Sequence, residues 1–556
     1  MIDQLSHMVA EFFVFNAKHP VIFTEISFWI FFTFVYAIFT VIHKQYTLRN
    51  LFLFLISVFF YYKTSGFFFG LLLFTIANEY WVAIVLERSQ KNLKRKLLVL
   101  YSILINIGLL CYFKYAYFFT DSYNQIFHTQ HQVINHFAHW SNGFFNTRFN
   151  VDKILLPVGI SFYTFHTLSY TIEVYRRKMS AVNNFFDFGF YVAFFPVLLA
   201  GPIVKAKDFI PQLRQPFKLN QYQFGLAWFM IINGLIKKLV IGDYIAINFI
   251  DRVFGNPMLF SGVENVLAVI GYSLQVYLDF SGYTDIAIGV ALLMGYKIKT
   301  NFNSPYKAQS VAEFWKRWHI SLSTWLQEYL YIPLGGNRQG TFASYLIIAV
   351  LTAFIALLLD ASFILWIVGA IALILAILAK LSEKVKHAVN TNINLMVTML
   401  LGGLWHGATL NFIIWGGLNG LGLVIYKFWK KISPYQSLKS LPVRFWKITI
   451  TFLFISFTRI YFRAEDMNQA NEVIFKMFGD THWGILPDIL YNFREVFILM
   501  GIAFIVHWLP IEIKWSYKKA FIKLPAWGKV LVLIATCICI YQTMSSEMKP
   551  FIYFQF

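Results

Sequence analysis

The sequence predicts an all-α, polytopic integral membrane protein of about 11–13 transmembrane helices with additional re-entrant or interfacial helices. One observation behind this prediction is composition. The 556 residues are 58% hydrophobic and only 13% charged, and the mean hydropathy is +0.59. Soluble domains carry about 25% charged residues, and a soluble fold cannot bury this much apolar surface. Lipid is the solvent that suits such a chain.

The other observation is a series of apolar runs, many close to the roughly 20 residues that cross a bilayer. The runs cover 21–42, 48–62, 66–86, 97–119, 187–204, 224–250, 264–296, 341–358, 361–379, 393–428, 445–463, 495–510 and 528–545. The first is too long for the apolar region of a signal peptide, so we expect it to remain as a span. The run 393–428 is predicted to be a bent pair.

The net charge of +20 does not indicate nucleic acid, because Lys and Arg occupy short loops between the apolar runs. The bilayer is the expected partner of these loops. Loops 43–50 and 87–96 are basic and share one side if the first four spans alternate. The positive-inside rule makes that side cytoplasmic and the N-terminus extracytoplasmic. The three cysteines fit neither a disulfide framework nor a zinc site, and no metal site is expected.

One stretch, 301–340, mixes polar and aromatic residues and does not resemble a span. A helix is expected over 313–330, with an apolar stripe that includes Trp318, Trp325 and Tyr329. We interpret it as interfacial or re-entrant. Irregular backbone at membrane depth is tolerated where it is buried in protein or lines a wet cavity, so a cavity is expected here.

The first candidate for chemistry is His406, in the apolar stretch GGLWHGATLNFIIWGG (402–417). Ionisable residues inside membranes mark functional sites by default, although a hydrogen-bonded structural histidine is the alternative. Gly402, Gly403 and Gly407 remove side chains around it, which lets a substrate or another backbone approach closely.

The second candidate is His319, in EFWKRWHISLSTW (313–325), which a helix-anchoring role would also explain. Asp279 and Asp285 lie six residues apart and do not share a helix face. We expect them to pair with buried Lys or Arg, or to cap a broken helix, rather than to act as an acid/base couple. A phosphate-binding P-loop, a G-x-S-x-G elbow and an H-E-x-x-H motif are absent from the sequence.

Five segments in order resemble the membrane-bound O-acyltransferase (MBOAT) family, in its bacterial branch of AlgI-like alginate O-acetylation and DltB-like teichoic acid D-alanylation proteins. They are LPVGISFYTFHTLSY (156–170), FFPVLLAGPIVKAKDFIPQL (194–213), residues 277–338 from YLDFSGYTD to PLGGNR, LLGGLWHGATLNFIIWGGLNG (400–420) and FTRIYFRAEDMNQA (457–470). The sequence departs from the expected pattern at His166, where we expect Gln, and at Arg459, where we expect an aromatic residue.

The resemblance implies a single MBOAT-type domain over 1–556. It has N-terminal helices in 1–120, a core in 150–480 with an insertion at 341–392, and C-terminal helices in 481–556. It also implies a helical ring around a thin centre with a tunnel between the two faces. Metals and bound cofactors are not expected.

The same resemblance makes His406 the expected catalytic residue and His319 its functional companion. Further hydrogen-bonding and substrate-binding candidates are Asn301, Asn303, Tyr306, Ser323 and Trp405.

The implied activity is O-acyl transfer in a bacterial cytoplasmic membrane, with an acetyl group from acetyl-CoA preferred and an extracytoplasmic SGNH-type acyltransferase as partner of polysaccharide modification. D-alanyl transfer from a carrier-protein thioester is an alternative within the family. A transporter without chemistry is a rival from another class, but transporters often show inverted repeats, and none is evident. A structural scaffold would leave both histidines unexplained.

Overall fold

The computed structural model describes residues 14–16, 20–145, 147, 149–361, 363–480, 482–543 and 551–552, and this part of the chain contains helices and no strands. The first half contains α1 Ile26–Ile42, α2 Tyr46–Ser65, α3 Phe69–Arg88, α4 Asn92–Leu110, α5 Ala116–Phe127, α6 His136–Phe145, α7 Ile160–Tyr175, α8 Phe185–Ala193, α9 Phe195–Leu198, α10 Ala206–Phe209, α11 Gln221–Leu235, α12 Asp243–Ile245, α13 Asp251–Gly255 and α14 Gly262–Leu293. The second half contains α15 Val311–Arg317, α16 Ile320–Leu326, α17 Phe342–Leu358, α18 Phe363–Leu381, α19 Glu383–His406, α20 Leu410–Ile432, α21 Leu441–Arg463, α22 Met467–Gly479, α23 Leu486–Asn492, α24 Arg494–Trp508, α25 Ile511–Lys523 and α26 Ala526–Thr543.

The all-helical membrane architecture agrees with the prediction. In the described part of the chain, eight helical stretches are long and apolar enough to cross a membrane, α23 with α24 forms a further bent pair, and α1 and α17 are shorter apolar helices. One of the eight, Tyr46–Arg88, is a hairpin. Gly66 has φ 61° at its middle, and Asn50 and Tyr80 both hydrogen-bond to the 183–187 segment. The runs 48–62 and 66–86 are therefore two helices, α2 and α3.

The centre of the fold is α14, whose 32 residues are almost all buried. The acids on α14 are neutralised by lysines that follow α11. Lys238 Nζ lies 2.5 Å from Asp279 and 2.8 Å from Asp243, and Lys237 Nζ lies 2.7 Å from Asp285. The expectation that Asp279 and Asp285 pair with lysines is confirmed; the Asp279 pair is buried and the Asp285 pair is partly buried.

The helix predicted over 313–330 is wrong as a single element, because the backbone breaks between α15 and α16. His319 takes a left-handed conformation with φ 42° and ψ 55°. This conformation is costly for a residue with a Cβ atom, and Asn301 compensates by hydrogen bonds to the first two residues of α16. Its backbone oxygen accepts from Ile320 N and its side-chain oxygen accepts from Ser321 N.

The stretch 341–392 folds as the hairpin α17–α18 and the start of α19. Asp360, at φ 47°, forms the turn between the two hairpin helices, as expected for a residue between two apolar runs. None of the described residues of α18 is buried, although the helix is strongly apolar. This helix therefore presents its side chains to lipid. Its interpretation as an insertion stays a prediction.

Several loops meet at one end of the helix assembly. They are the 89–91, 176–178, 327–340 and 433–440 segments and the start of α19. Hydrogen bonds that link these loops and the helices beside them are Arg177–Gln90, Arg176–Glu328, Asn394–Gly336 and Lys427–Asn392. We call this the basic end, because it includes the Lys- and Arg-rich loop 87–96.

Candidate active site

His406 is the last residue of α19, and the chain then extends through Gly407 before α20 begins. The two helices meet at Gly403 and Gly416, whose Cα atoms approach so closely that a Cβ on Gly403 would lie 3.0 Å from Gly416 Cα and 2.2 Å from the carbonyl oxygen of Phe412. The glycines around His406 were expected to admit either a substrate or another backbone. At Gly403 it is another backbone that approaches. This contact fixes the position of the C-terminal end of α19 relative to α20.

His319 reaches the same region from the break between α15 and α16. It is fully buried, and its Nδ1 lies 3.2 Å from Asn301 Oδ1. The same amide oxygen accepts from the hydroxyl of Ser321 at 2.9 Å. Asn301 therefore fixes both the unusual backbone at His319 and the orientation of its ring.

The structure brings the two histidines together. Their ring centroids are 6.5 Å apart, and both rings are buried. Trp405 lies beside both, with its ring 4.9 Å from that of His406 and 6.3 Å from that of His319. Trp415 packs edge-on against His406 at 5.0 Å. The wall around the pair is thus largely aromatic, which lowers the local dielectric and strengthens polar interactions with a substrate.

His406 lies between two cavities. One, of about 70 Å³, is lined by His406, Trp405, Lys114 and residues 156–162. The other, of about 10 Å³, has room for a single water molecule and is lined by His406, Trp318, Arg459 and neighbouring aromatic residues. One imidazole is therefore accessible from two sides of the protein interior.

Two charged residues of this region were missed in the sequence as parts of the site. Lys114 Nζ donates to the carbonyl oxygens of Trp405 and His406, at 2.7 and 3.0 Å, and so holds the end of α19. Arg459 lies 4.3 Å above the ring of Trp318 and donates to Ser273 O and to the hydroxyl of Tyr306. A lysine within the apolar run 97–119 was a usable signal. Arg459 was noted only as a departure from the expected motif.

The remaining candidates are distributed differently. Tyr306 is buried and its hydroxyl is engaged with Arg459 and Ser273 O, so it braces the wall behind the site. Asn303 lines a separate cavity, and Ser323 donates to Trp318 O at 3.4 Å. The buried side-chain N–H groups of Asn301 and Trp405 have no acceptor among the described residues. Of these two residues, Trp405 lines the cavity of about 70 Å³ beside His406.

His166 lies outside the pair. Its Nε2 accepts from the backbone N–H of Val204 at 3.1 Å, which gives it a structural contact in the interior. The residue before it, Phe165, stacks between Trp325 and Trp405, with centroid distances of 3.7 and 5.1 Å. Helix α7 thus contacts the site through Phe165, and its first turn lines the 70 Å³ cavity beside His406.

An ionic cluster lies at the basic end. Glu328 Oε1 is 2.7 Å from Lys205 Nζ, and Lys207 bridges Glu328 and the buried Glu173. Partial burial alone would raise the pKa of Glu328, but the hydrogen bond from Lys205 and the charges of both lysines outweigh it and hold this pKa below its usual value. Burial acts to lower the pKa of Lys207, yet the two carboxylates raise it overall. Glu328 and Lys207 are therefore both charged at neutral pH.

A helical protein embedded in lipid, with two buried imidazoles and a cavity on either side of one of them, has the architecture of an integral membrane enzyme. The chain belongs to the membrane-bound O-acyltransferase (MBOAT) family, whose profile matches residues 44–382. The protein is therefore an acyltransferase, and the resemblance seen in the motifs is confirmed.

Relatives with assigned functions agree. The chain is 36% identical over 441 residues to the "Probable alginate O-acetylase AlgI" of Pseudomonas putida, which covers 78% of this chain and 76% of the relative. It is 31% identical over 458 residues to the "Peptidoglycan O-acetyltransferase" of Helicobacter pylori. That alignment covers 77% of this chain and 74% of the relative. It is 27% identical over 309 residues to the "Teichoic acid D-alanyltransferase" of Bacillus subtilis. That alignment covers 54% of this chain and 67% of the relative.

Proposed function

We propose that this protein moves an acetyl group from acetyl-CoA through the membrane for O-acetylation of a polysaccharide outside the cytoplasm. The observation that carries the proposal is the position of His406 between two cavities, beside His319. The relatives named O-acetylases, which are more similar to this chain than the D-alanyltransferase, support acetyl as the group transferred.

The basic end is the cytoplasmic face in this proposal. Loop 87–96 contributes five cationic residues there, and the end of α20 and the 433–440 loop add Lys430, Lys431 and Lys439. Cationic loops remain in the cytoplasm during membrane insertion. The 156–162 segment, at the far end of α7 from Arg176, then faces the extracytoplasmic side.

A cavity of about 820 Å³ at the basic end is the proposed entrance for the donor. It is lined by the first turn of α15, the second half of α20 and the first half of α21. Its volume suits a ligand of cofactor size. Helix α15 also contains Phe314 and ends beside Trp318. Both of these residues line the small cavity at His406. The thioester end of a donor is thus directed toward the imidazole.

The chemistry follows from this placement. A neutral imidazole titrates near pH 6.5 in water and suits proton transfer at neutral pH. His406 removes the proton from an acceptor hydroxyl as its oxygen attacks the thioester carbonyl, and the imidazolium returns that proton to the departing thiolate. His319, oriented by Asn301, polarises the carbonyl or positions the acceptor, with the free N–H groups of Asn301 and Trp405 as further donors to the oxyanion. An extracytoplasmic SGNH-type acyltransferase is the proposed partner that passes the acetyl group to the polymer.

The test uses purified protein in nanodiscs with acetyl-CoA labelled in the acetyl group. Removal of a general base costs about 10²–10⁴-fold, so His406→Ala is expected to abolish measurable donor consumption. The matched control is His387→Ala, which removes an exposed histidine from the same helix and should leave the rate unchanged.

Other results would redirect the proposal. Consumption of a D-alanyl carrier-protein thioester, with acetyl-CoA untouched, would identify the other branch of the family. Normal donor consumption by His406→Ala would reject the catalytic role of this histidine. Label that crosses the membrane without thioester cleavage would identify a transporter.

A further inference from the structure

A second large cavity, of about 980 Å³, lies away from the histidine pair. It is bounded by the first half of α21, by the 508–514 segment that connects α24 to α25, and by the 303–307 loop. These elements, apart from the loop, lie beyond residues 44–382 that match the family profile. The acyl-transfer mechanism leaves this cavity without a role.

Four cations line one part of the cavity: Lys307, Arg317, Arg444 and Lys514. Lys514 Nζ donates to Ser304 Oγ and His507 O, and Lys307 Nζ donates to Leu509 O, so both lysines are held in place by neutral acceptors.

Carboxylates do not balance this charge. Arg317 pairs with Glu313 at 2.8 Å, and Glu512 is the only carboxylate among the described residues that line the cavity. The side chain of Arg444 has no acceptor within the described part of the chain. Burial and the neighbouring charges of Lys307 and Lys237 lower the pKa of Lys514 to about 8. The positive charge in this part of the cavity is therefore not fully compensated by the protein and attracts an anion.

The rest of the cavity is an apolar wall that opens outward. Leu441 and Phe445 on the first turns of α21 are 78% and 67% exposed, and Ile448 and Phe452 continue the same helix face inward. Trp508 and Ile511 form the opposite side and are also exposed. An exposed tryptophan beside cations at the end of an apolar helix is typical of the bilayer interface.

We propose that this cavity binds an anionic membrane phospholipid, with its phosphate among Lys307, Arg444 and Lys514 and its acyl chains along the Leu441–Phe452 face of α21. Cations beside an apolar surface fit an amphiphile whose charge and hydrocarbon are adjacent. The nucleotide part of a coenzyme also carries phosphates, but it brings a polar ribose and adenine instead of hydrocarbon. The exposed aliphatic wall therefore favours the lipid.

The experiment measures retained lipid by native mass spectrometry of the full-length protein, delipidated in detergent and titrated with phosphatidylglycerol or phosphatidylcholine. Thermal unfolding is followed in parallel. A cation near an anionic headgroup contributes about a fivefold factor in binding. Arg444→Gln is expected to weaken phosphatidylglycerol retention about fivefold, and Lys307→Gln with Lys514→Gln about 25-fold. Phosphatidylcholine should bind weakly to every variant.

The control replaces exposed lysines at the same end that do not line the cavity, Lys430→Gln with Lys431→Gln, and should retain lipid as the wild type does. An equal loss in this control would mean general surface attraction and would overturn the proposal. So would retention that none of the cavity variants changes. Arg444 also lines the 820 Å³ cavity, whereas Lys307 and Lys514 line only this one. Stabilisation by adenosine 3′,5′-bisphosphate but not by phosphatidylglycerol, lost in Lys307→Gln with Lys514→Gln, would assign the cavity to the coenzyme instead. The Arg444 side chain makes no hydrogen bond within the described part of the chain, so Arg444→Gln keeps the test valid if the double variant fails to fold.

Discussion

Replacement of Gly403 by Ala tests how the α19–α20 contact positions His406. The new Cβ would lie 2.2 Å from the carbonyl oxygen of Phe412 and 3.0 Å from Gly416 Cα. A carbon–oxygen contact needs about 3.3 Å, so the helices must separate by roughly 1 Å. Both obstacles are backbone atoms, which cannot rotate away. Overpacking of this kind costs about 1–3 kcal/mol.

The effect on activity should exceed the effect on stability. His406 is three residues further along α19, within one helical turn, and moves with Gly403. A displacement of 1 Å at a reacting group costs up to about 10²-fold in rate. The adjacent Gly402 provides a matched control, because a Cβ there meets only the end of the Leu326 side chain at 3.2 Å. Ala at this position should be tolerated, with a gain of about 1 kcal/mol in helix propensity.

The assay compares initial rates of thioester consumption and thermal unfolding midpoints for Gly403→Ala, Gly402→Ala and wild type in identical nanodiscs. We expect a rate loss of about 10–10² for the first variant and a near-normal rate for the second. Equal rates for both, or a greater loss in Gly402→Ala, would refute the argument that this backbone contact places the imidazole.

Three further results are expected. Asn301→Ala should lower the transfer rate about tenfold, since one hydrogen bond that orients His319 is lost, while donor binding changes little. Lys238→Met should destabilise the fold by about 3–5 kcal/mol in thermal unfolding, because it leaves buried acids unpaired, and Asp279→Asn in the same chain should restore part of this loss. Glu328→Gln should lower the unfolding midpoint at pH 7. Because the folded pKa of Glu328 is depressed, its contribution is present above its unfolded pKa of about 4.5 and is lost as the pH falls through the lower folded pKa, so the two midpoints should converge in acid.

Each of these has a contradicting outcome. A normal rate for Asn301→Ala would show that the left-handed turn holds His319 unaided. If Asp279→Asn lowers the stability of the Lys238→Met protein by the full amount that it costs alone, Asp279 is not coupled to the lysine. A midpoint difference for Glu328→Gln that persists unchanged in strong acid would locate its origin outside the charge of this side chain.

The sequence predicted those parts of the fold that depend on composition and local pattern. Apolar runs identified the helices, and the pairing of Asp279 and Asp285 with lysines followed from the cost of a lone buried charge. The histidines were chosen for their apolar or aromatic surroundings and motifs, and the structure places their rings 6.5 Å apart.

The rest depended on contacts between residues far apart in the chain. The break at His319 was missed because the apolar stripe continues across it, and the contribution of Asn301, eighteen residues earlier, has no local signature. Lys114 lies 292 residues before His406, so only the folded chain shows that it binds the end of α19. The 980 Å³ cavity beside α21 is formed by segments that are far apart in the chain, and no single segment predicts it.

The position of His406 between two cavities has an electrical consequence. Aqueous space conducts, so where water enters from both faces the membrane potential falls across the thin layer of side chains between the cavities, not across the full hydrocarbon thickness of about 30 Å. A unit charge carried through that layer exchanges about 2.3 kcal/mol with a potential of 100 mV. That energy corresponds to a rate factor of about 50. In the proposed reaction, a proton that left an acceptor hydroxyl on one face and reached the thiolate on the other would therefore be assisted or opposed by the membrane potential.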